Sequence, residues 1–189
     1  MEDVMQRLGN APVTNRVYER ERGRSCFDID GLSDCFRTGG GEPMSVQENK
    51  ALVRRFYEEV WNRGATDFAY EVFAEDYVRH DLRPTDAPPG PAGQKKIADD
   101  FRAAFPDLEV TVDLIIGEGD FVVGRWTAAG THTGTWGAVE PTSRRATFSA
   151  VNIFRFENGR VVEIWNHRDD LGLSQQIGVP IYAGARPDA

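Results

Sequence analysis

The sequence predicts an α+β domain: a curved antiparallel sheet with helices packed on one face. Three observations carry this. Apolar residues recur at helical spacing as far as Phe105, then alternate with period two after Glu109. The later segments are joined by short turns, among them Asn158-Gly159, and such turns make hairpins and so antiparallel strands. Helices first and strands later is also the α+β order, unlike the alternation that builds a parallel sheet.

The elements follow in chain order. Ser45 and Glu48 form the capping box S-x-x-E. Leu52, Val53, Phe56, Tyr57, Val60 and Trp61 then give a helix one apolar face, and Gly64 suits its C-terminal cap. A shorter helix is expected over 67–74, an extended piece at "EDYVRHDL", a proline-rich loop over 83–93 and a third helix over about 92–105, stopped by Pro106. Val110, Val112, Leu114 and Ile116 alternate as a half-buried strand. "FVVGRWTAAGTHTG", "RRATFSAVNIFRF" and "RVVEIWNHRD" read as three further strands. Residues 1–43 lack sustained periodicity and end in a Gly-Gly-Gly run, which predicts a disordered extension ahead of a domain over 44–183, with 184–189 as a tail.

Composition narrows the function. At 189 residues, 40 % hydrophobic and 28 % charged, the chain suits one globular domain. A net charge of −8 argues against nucleic acid, whose phosphates require clustered Lys and Arg. No apolar run approaches the roughly 20 residues of a membrane span, and no signal-peptide pattern opens the chain. Cys26 and Cys35 match no zinc pattern and make no disulfide framework, so a reduced, cytoplasmic protein is expected. No phosphate-cradling glycine loop, G-x-S-x-G elbow or H-E-x-x-H motif occurs, and three scattered histidines do not suggest a metal site. What remains is acid/base chemistry by carboxylate and imidazole, with no cofactor.

The densest candidate stretch is "EIWNHRDDLGLSQQIG". With strand parity, Glu163, Trp165, His167 and Asp169 share one face, and Val162, Ile164, Asn166 and Arg168 the other. The pattern leaves open which of the two lines a pocket. His80, between an apolar pair and the proline-rich loop, reads more readily as structural than as catalytic. His132 in "GTHTG" reads as a turn residue bonding the backbone. Arg125 would need a carboxylate if buried, and Asn152, in mid-strand, is either a core network member or a pocket donor.

These residues resemble the SnoaL-like polyketide cyclase family, of the nuclear transport factor 2-like superfamily. The resemblance covers residues 45–178 through "NKALVRRFYEEVWNRG", "FAEDYVRHD", "AFPDL", "GTHTG" and above all W-x-x-x-D-x-L-G-L near the end. It implies a cone-shaped sheet with about three N-terminal helices on its concave face. It also implies a cofactor-independent intramolecular aldol condensation of a small hydrophobic poly-carbonyl substrate. The motif aligns Asp169 as the catalytic acid/base and would turn Asp169, His167 and Trp165 into the cavity, with His167 and His80 as further catalytic candidates. Trp165, Asn152, Arg125, Trp61 and Phe105 are the candidate substrate-binding residues. Relatives of this fold pair through the outer sheet face, so a homodimer is expected. Rival readings are a non-catalytic binder of a small hydrophobic ligand, or a dehydratase, isomerase or hydroxylase-related enzyme. An Asp169 facing solvent would favour the non-catalytic reading.

Overall fold

A computed structural model describes residues 44–80 and 87–179, so the expectations for 1–43 and 184–189 lie outside the described residues. Helix α1 spans Val46–Phe56 and opens with the capping box in place: Ser45 Oγ accepts from the Glu48 amide, and the Glu48 carboxylate accepts from the Ser45 amide. The helix continues as a π-helical stretch, Tyr57–Asn62, held by bonds such as Arg63 N–H to Glu58 O, and ends before Gly64, whose φ is +73°. A 3₁₀ turn at Thr66–Phe68 and the short α2, Ala69–Val72, follow. Strand β1 is Phe73–Arg79 and α3 is Pro91–Ala104, with proline at its first position, where no intrahelical N–H is needed.

The sheet is completed by β2 (Glu109–Glu118), β3 (Phe121–Thr131), β4 (Arg145–Glu157) and β5 (Arg160–Arg168). Its order is β1-β5-β4-β3-β2. Strands β2 to β5 pair antiparallel, as expected. Of the expected extended piece "EDYVRHDL", Glu75–Arg79 lie in β1, a fifth strand parallel to β5, a long-range pairing that local pattern does not encode, and its last two residues lie outside the described ones. Asn158 and Gly159 turn β4 into β5 with φ of +51° and +76°.

A fourth helix, α4 (Asp170–Ile177), was not expected. It buries Leu173 and Ile177 and lies along the part of β4 that extends past the end of β5. There the Gln176 side chain accepts from the Thr147 amide and donates to the Thr147 carbonyl, covering that open edge.

Two β-bulges set which residues face the core. In β2, Val112 pairs with Trp126 but Leu114 with Arg125, so Asp113 is extra. Parity therefore switches. Val110 and Ile115 are buried, while Leu114 and Ile116 are about half exposed, at 50 % and 52 %, which corrects the uniform alternation expected there. In β5, Val161 pairs with Phe156 but Glu163 with Arg155, so Val162 is extra. Val161 and Ile164 both enter the core, and from Ile164 onward the even positions face inward with Asn152 and Phe154 of β4.

Candidate active site

The inward face of the sheet, α1 with its π-helical end and α3 line a narrow recess. Phe56, Trp61, Ile97 and Phe101 form its helical wall, and Trp126, Phe148 and Ile164 the apolar part of its sheet wall. Phe56 and Trp61 are five residues apart, a spacing that i→i+5 bonding in the π-helical stretch brings to one side. The polar lining consists of Arg79, Gln94, Asn152, Asn166 and Arg168. No Asp or Glu lines the recess among the described residues.

Asn152 is the anchor of the sheet wall. It is buried, and its Oδ1 accepts from Tyr57 Oη at 3.0 Å and from Trp126 Nε1 at 2.5 Å. Burial pushes the Tyr57 phenol well above its usual range, outweighing the hydrogen bonding with Trp126, so it stays a protonated donor. Gly124, the register partner of Asn152, allows this approach: a Cβ there would stand 3.0 Å from Tyr57 Oη. Opposite Asn152 on β5 is Asn166, and one inward position further along is Arg168.

The Arg168 guanidinium lies over the rings of Phe101 and Trp136, at 4.9 and 5.6 Å, and its Nε donates to Asp170 Oδ1 at 2.5 Å. On the other side, Arg79 Nη1 donates to Oε1 of the buried Gln94 at 2.9 Å.

The expected face of β5 is reversed. Trp165 and His167 point to the outer face, because the bulge at Val162 gives the inward positions to Ile164, Asn166 and Arg168. Asp169 is exposed and acts as N-cap of α4, its Oδ1 accepting from the Gly172 amide at 2.8 Å. Trp165 instead stacks on His80, ring centres 4.5 Å apart and planes 10° from parallel. His80 Nε2 lies 2.7 Å from Glu163 Oε2, and Arg155 Nε donates to the other carboxylate oxygen at 2.5 Å. Burial raises the Glu163 carboxyl, but the hydrogen bonds and charges of His80 and Arg155 outweigh it and hold it below its ordinary value.

Of the substrate-binding candidates, Asn152 and Trp61 line the recess. Phe105 is fully buried in the core, stacked on Phe101 at 5.0 Å, and does not line it. Arg125 is on the outer face, paired with Asp113, the bulge residue of β2. His132 is wholly buried against Phe105 with Nδ1 3.1 Å from Thr142 Oγ1, so its side chain meets a hydroxyl rather than the backbone. Sequence reasoning missed Arg79, Gln94, Asn166, Arg168 and Asp170. One signal for the last three was present: Val161 and Ile164 can share a core only if the strand between them is bulged.

Comparison with known proteins agrees with this architecture. The SnoaL-like polyketide cyclase family matches over residues 51–177, and the chain belongs to that family. IdmH of Streptomyces antibioticus, described as a candidate polyketide cyclase, is 31 % identical with a TM-score of 0.59, over 69 % of this chain and 99 % of its own. AclR of Streptomyces galilaeus, described as a candidate hydroxylase, is 30 % identical with a TM-score of 0.61, over 71 % of this chain and 98 % of its own. TsrD of Streptomyces laurentii, at 23 % identity and a TM-score of 0.66 over 72 % of this chain and 99 % of its own, shares the fold, that of the nuclear transport factor 2-like cone. No curated protein matches. Among the described residues, no helix is long and apolar enough to cross a membrane.

Proposed function

We propose that this protein is a polyketide cyclase that closes a ring by intramolecular aldol condensation, without a cofactor, on a small hydrophobic poly-carbonyl substrate. The observation that carries the reading is an aromatic-walled recess with fixed hydrogen-bond donors, in a chain of the SnoaL-like polyketide cyclase family. A base takes a proton from a carbon flanked by two carbonyls. The resulting enolate carbon attacks a second carbonyl of the same chain, a C–C bond forms, and the alkoxide produced takes a proton back. All atoms come from the substrate and the acid/base. Folding the chain into one near-attack geometry against Phe101, Trp61 and Trp126 supplies much of the rate, and donors facing the developing oxyanion supply more.

For the acid/base the geometry favours Asp170. It is half-buried and bonded to Arg168, which lines the recess, whereas Asp169 is exposed and committed to capping α4. The test is product analysis on candidate polyketide-derived esters and acids. Asp170→Asn should lower turnover about 100-fold or more with little change in binding. Asp169→Asn should leave turnover near wild type, since asparagine caps a helix as well as aspartate. Loss with Asp169→Asn alone would restore Asp169 as the base.

A second reading, a non-catalytic binder of a small hydrophobic ligand, is favoured by the solvent-facing Asp169 and by a recess without a lining carboxylate among the described residues. Turnover unaffected by either substitution selects it. Both readings go with a cytoplasmic homodimer joined through the outer sheet face, where Leu114, Ile116 and Phe121 are 44–52 % exposed.

A further inference from the structure

Two buried donors converge on one atom beside the recess. Trp126 Nε1 can only donate, so the Asn152 atom facing it at 2.5 Å is the oxygen. Tyr57 Oη donates to the same oxygen at 3.0 Å, and burial keeps that phenol protonated. Turning the amide over would set its amino group against the indole N–H, so its orientation is fixed chemically. The amino group is then the end of Asn152 that no protein group engages among the described residues. It is not sealed off either: the buried side-chain atoms without a partner, among the described residues, are Asn49 Oδ1 and His132 Nε2. Since Asn152 lines the recess, its N–H donors open onto it.

The charged groups of the lining are engaged within the protein, Arg168 by Asp170 and Arg79 by Gln94. What Asn152 adds is a neutral donor on a rigid wall, among Trp126, Phe148 and Ile164. Two hydrogen bonds into Oδ1 draw electron density from the amide nitrogen and make its N–H groups stronger donors. A dipole that is already aimed needs no reorganisation when charge appears, and apolar surroundings strengthen its effect. A ketone oxygen gains little from such a donor and an enolate oxygen much more, and only such a difference lowers a barrier.

We propose that the Asn152 amino group is the oxyanion donor of the ring closure. This rests on the reading of the recess as the site of an aldol condensation. Asn152 Nδ2–H bonds one carbonyl oxygen of the substrate's β-dicarbonyl unit. When the base takes the proton from the carbon between the carbonyls, the C–H electron pair moves onto that oxygen, and the amide N–H holds it there. When the C–C bond forms, the pair enters the new bond and the carbonyl returns. The charge passes to the oxygen of the attacked carbonyl, which takes a proton from the acid. Tyr57 and Trp126 are positioning residues that act through the amide.

Titration of the full chain with 1-(2-naphthyl)butane-1,3-dione between about pH 6 and pH 9, with the enolate read by its absorbance, tests this. A second ligand, 2-acetonaphthone, stays neutral throughout. The wild type should bind the enolate at least about 10-fold more tightly than the neutral diketone. Asn152→Asp keeps an oxygen for Tyr57 and Trp126 but carries no N–H. Asn152→Leu in a Tyr57→Phe background carries none either, adds no charge and strands only the indole. Both should lose the enolate preference and hold 2-acetonaphthone within about 3-fold of wild type. On a cyclised substrate, kcat should fall about 100-fold or more in both, with KM little changed. Tyr57→Phe alone keeps the donor and should cost less than about 10-fold. Circular dichroism melts show which variants are folded, and retention in either folded variant decides against the proposal. Equal binding of enolate and neutral diketone by the wild type, no diketone binding at millimolar concentration, or an enolate preference unchanged in a folded variant overturns it. Ring closure with kcat unchanged in the folded variants overturns this inference and leaves the cyclase reading intact. An enolate preference that depends on Asn152, with no ring closure on any substrate, removes the cyclase reading and leaves Asn152 as the donor to a bound enolate.

Discussion

The Tyr57–Asn152–Trp126 cluster can be tested quantitatively through stability. Asn152 Oδ1 serves two buried donors, so the cost of a substitution depends on which groups it leaves unpaired. Tyr57→Phe removes one donor. Asn152 Oδ1 still has Trp126, nothing is orphaned, and the loss is that of one net hydrogen bond, about 1 kcal/mol. Asn152→Leu removes the shared acceptor and strands both the phenol and the indole N–H, at about 1–3 kcal/mol each. Added apolar burial returns about 1–2 kcal/mol, which leaves a net loss of up to about 5 kcal/mol, centred near 2–3 kcal/mol. In the Asn152→Leu background, Tyr57→Phe removes a stranded hydroxyl and so should stabilise by about 1 kcal/mol or more. The sign of the Tyr57→Phe effect therefore inverts, and the coupling is about 2 kcal/mol, well above the few tenths expected of independent sites. Urea unfolding of the four proteins, followed by circular dichroism with a common slope, measures this. Equal cost of Tyr57→Phe in both backgrounds would refute the shared-acceptor account.

Two further outcomes follow from the outer face. Glu163 is held below its ordinary value in the folded chain, so its stabilising contribution is full above the unfolded value of about 4.3 and is lost as pH falls through the lower folded value. Glu163→Gln should therefore flatten the acid-side decline of Tm between about pH 5 and pH 3, and an unchanged slope would contradict the His80–Glu163–Arg155 account. If the outer face joins two copies, light scattering at micromolar concentration should give a dimer mass for the wild type and a monomer mass for Ile116→Lys; a wild-type monomer refutes the assembly.

Much of the architecture was readable from local chemistry. Ser45 with Glu48, Gly64, Pro106 and Asn158-Gly159 each marked a boundary that the structure keeps, because caps and turns depend on neighbours in sequence. The parallel pairing of β1 with β5 was not readable, since it joins Phe73 to Val161 across the whole domain. The cues for α4 were present in Asp169 as N-cap and Gly178, with φ of +83°, as the left-handed C-terminal residue. The motif that marks Asp169 for chemistry competes with these cues, because the same carboxylate suits either an acid/base or a helix cap.

The reversed face of β5 shows how the core decides the site. Side chains alternate along a strand, so a regular β5 could bury Val161 or Ile164 but not both. Each is worth about 1.5–3 kcal/mol when buried. A bulge disrupts the ladder locally, at a cost on the order of one net hydrogen bond, about 1 kcal/mol. Burying both apolar residues wins, and they are 0 % and 1 % exposed. Once the extra residue is placed at Val162, every later side chain of the strand is assigned by parity. Asn166 and Arg168 turn to the recess beside Asn152, while Trp165 goes outward to stack on His80. Asp169 then falls at the strand-to-helix junction, where its oxygen meets the Gly172 amide, and Asp170 falls within reach of Arg168. Two apolar residues three positions apart thus determine which of two adjacent aspartates bonds the recess-lining Arg168 and which caps α4.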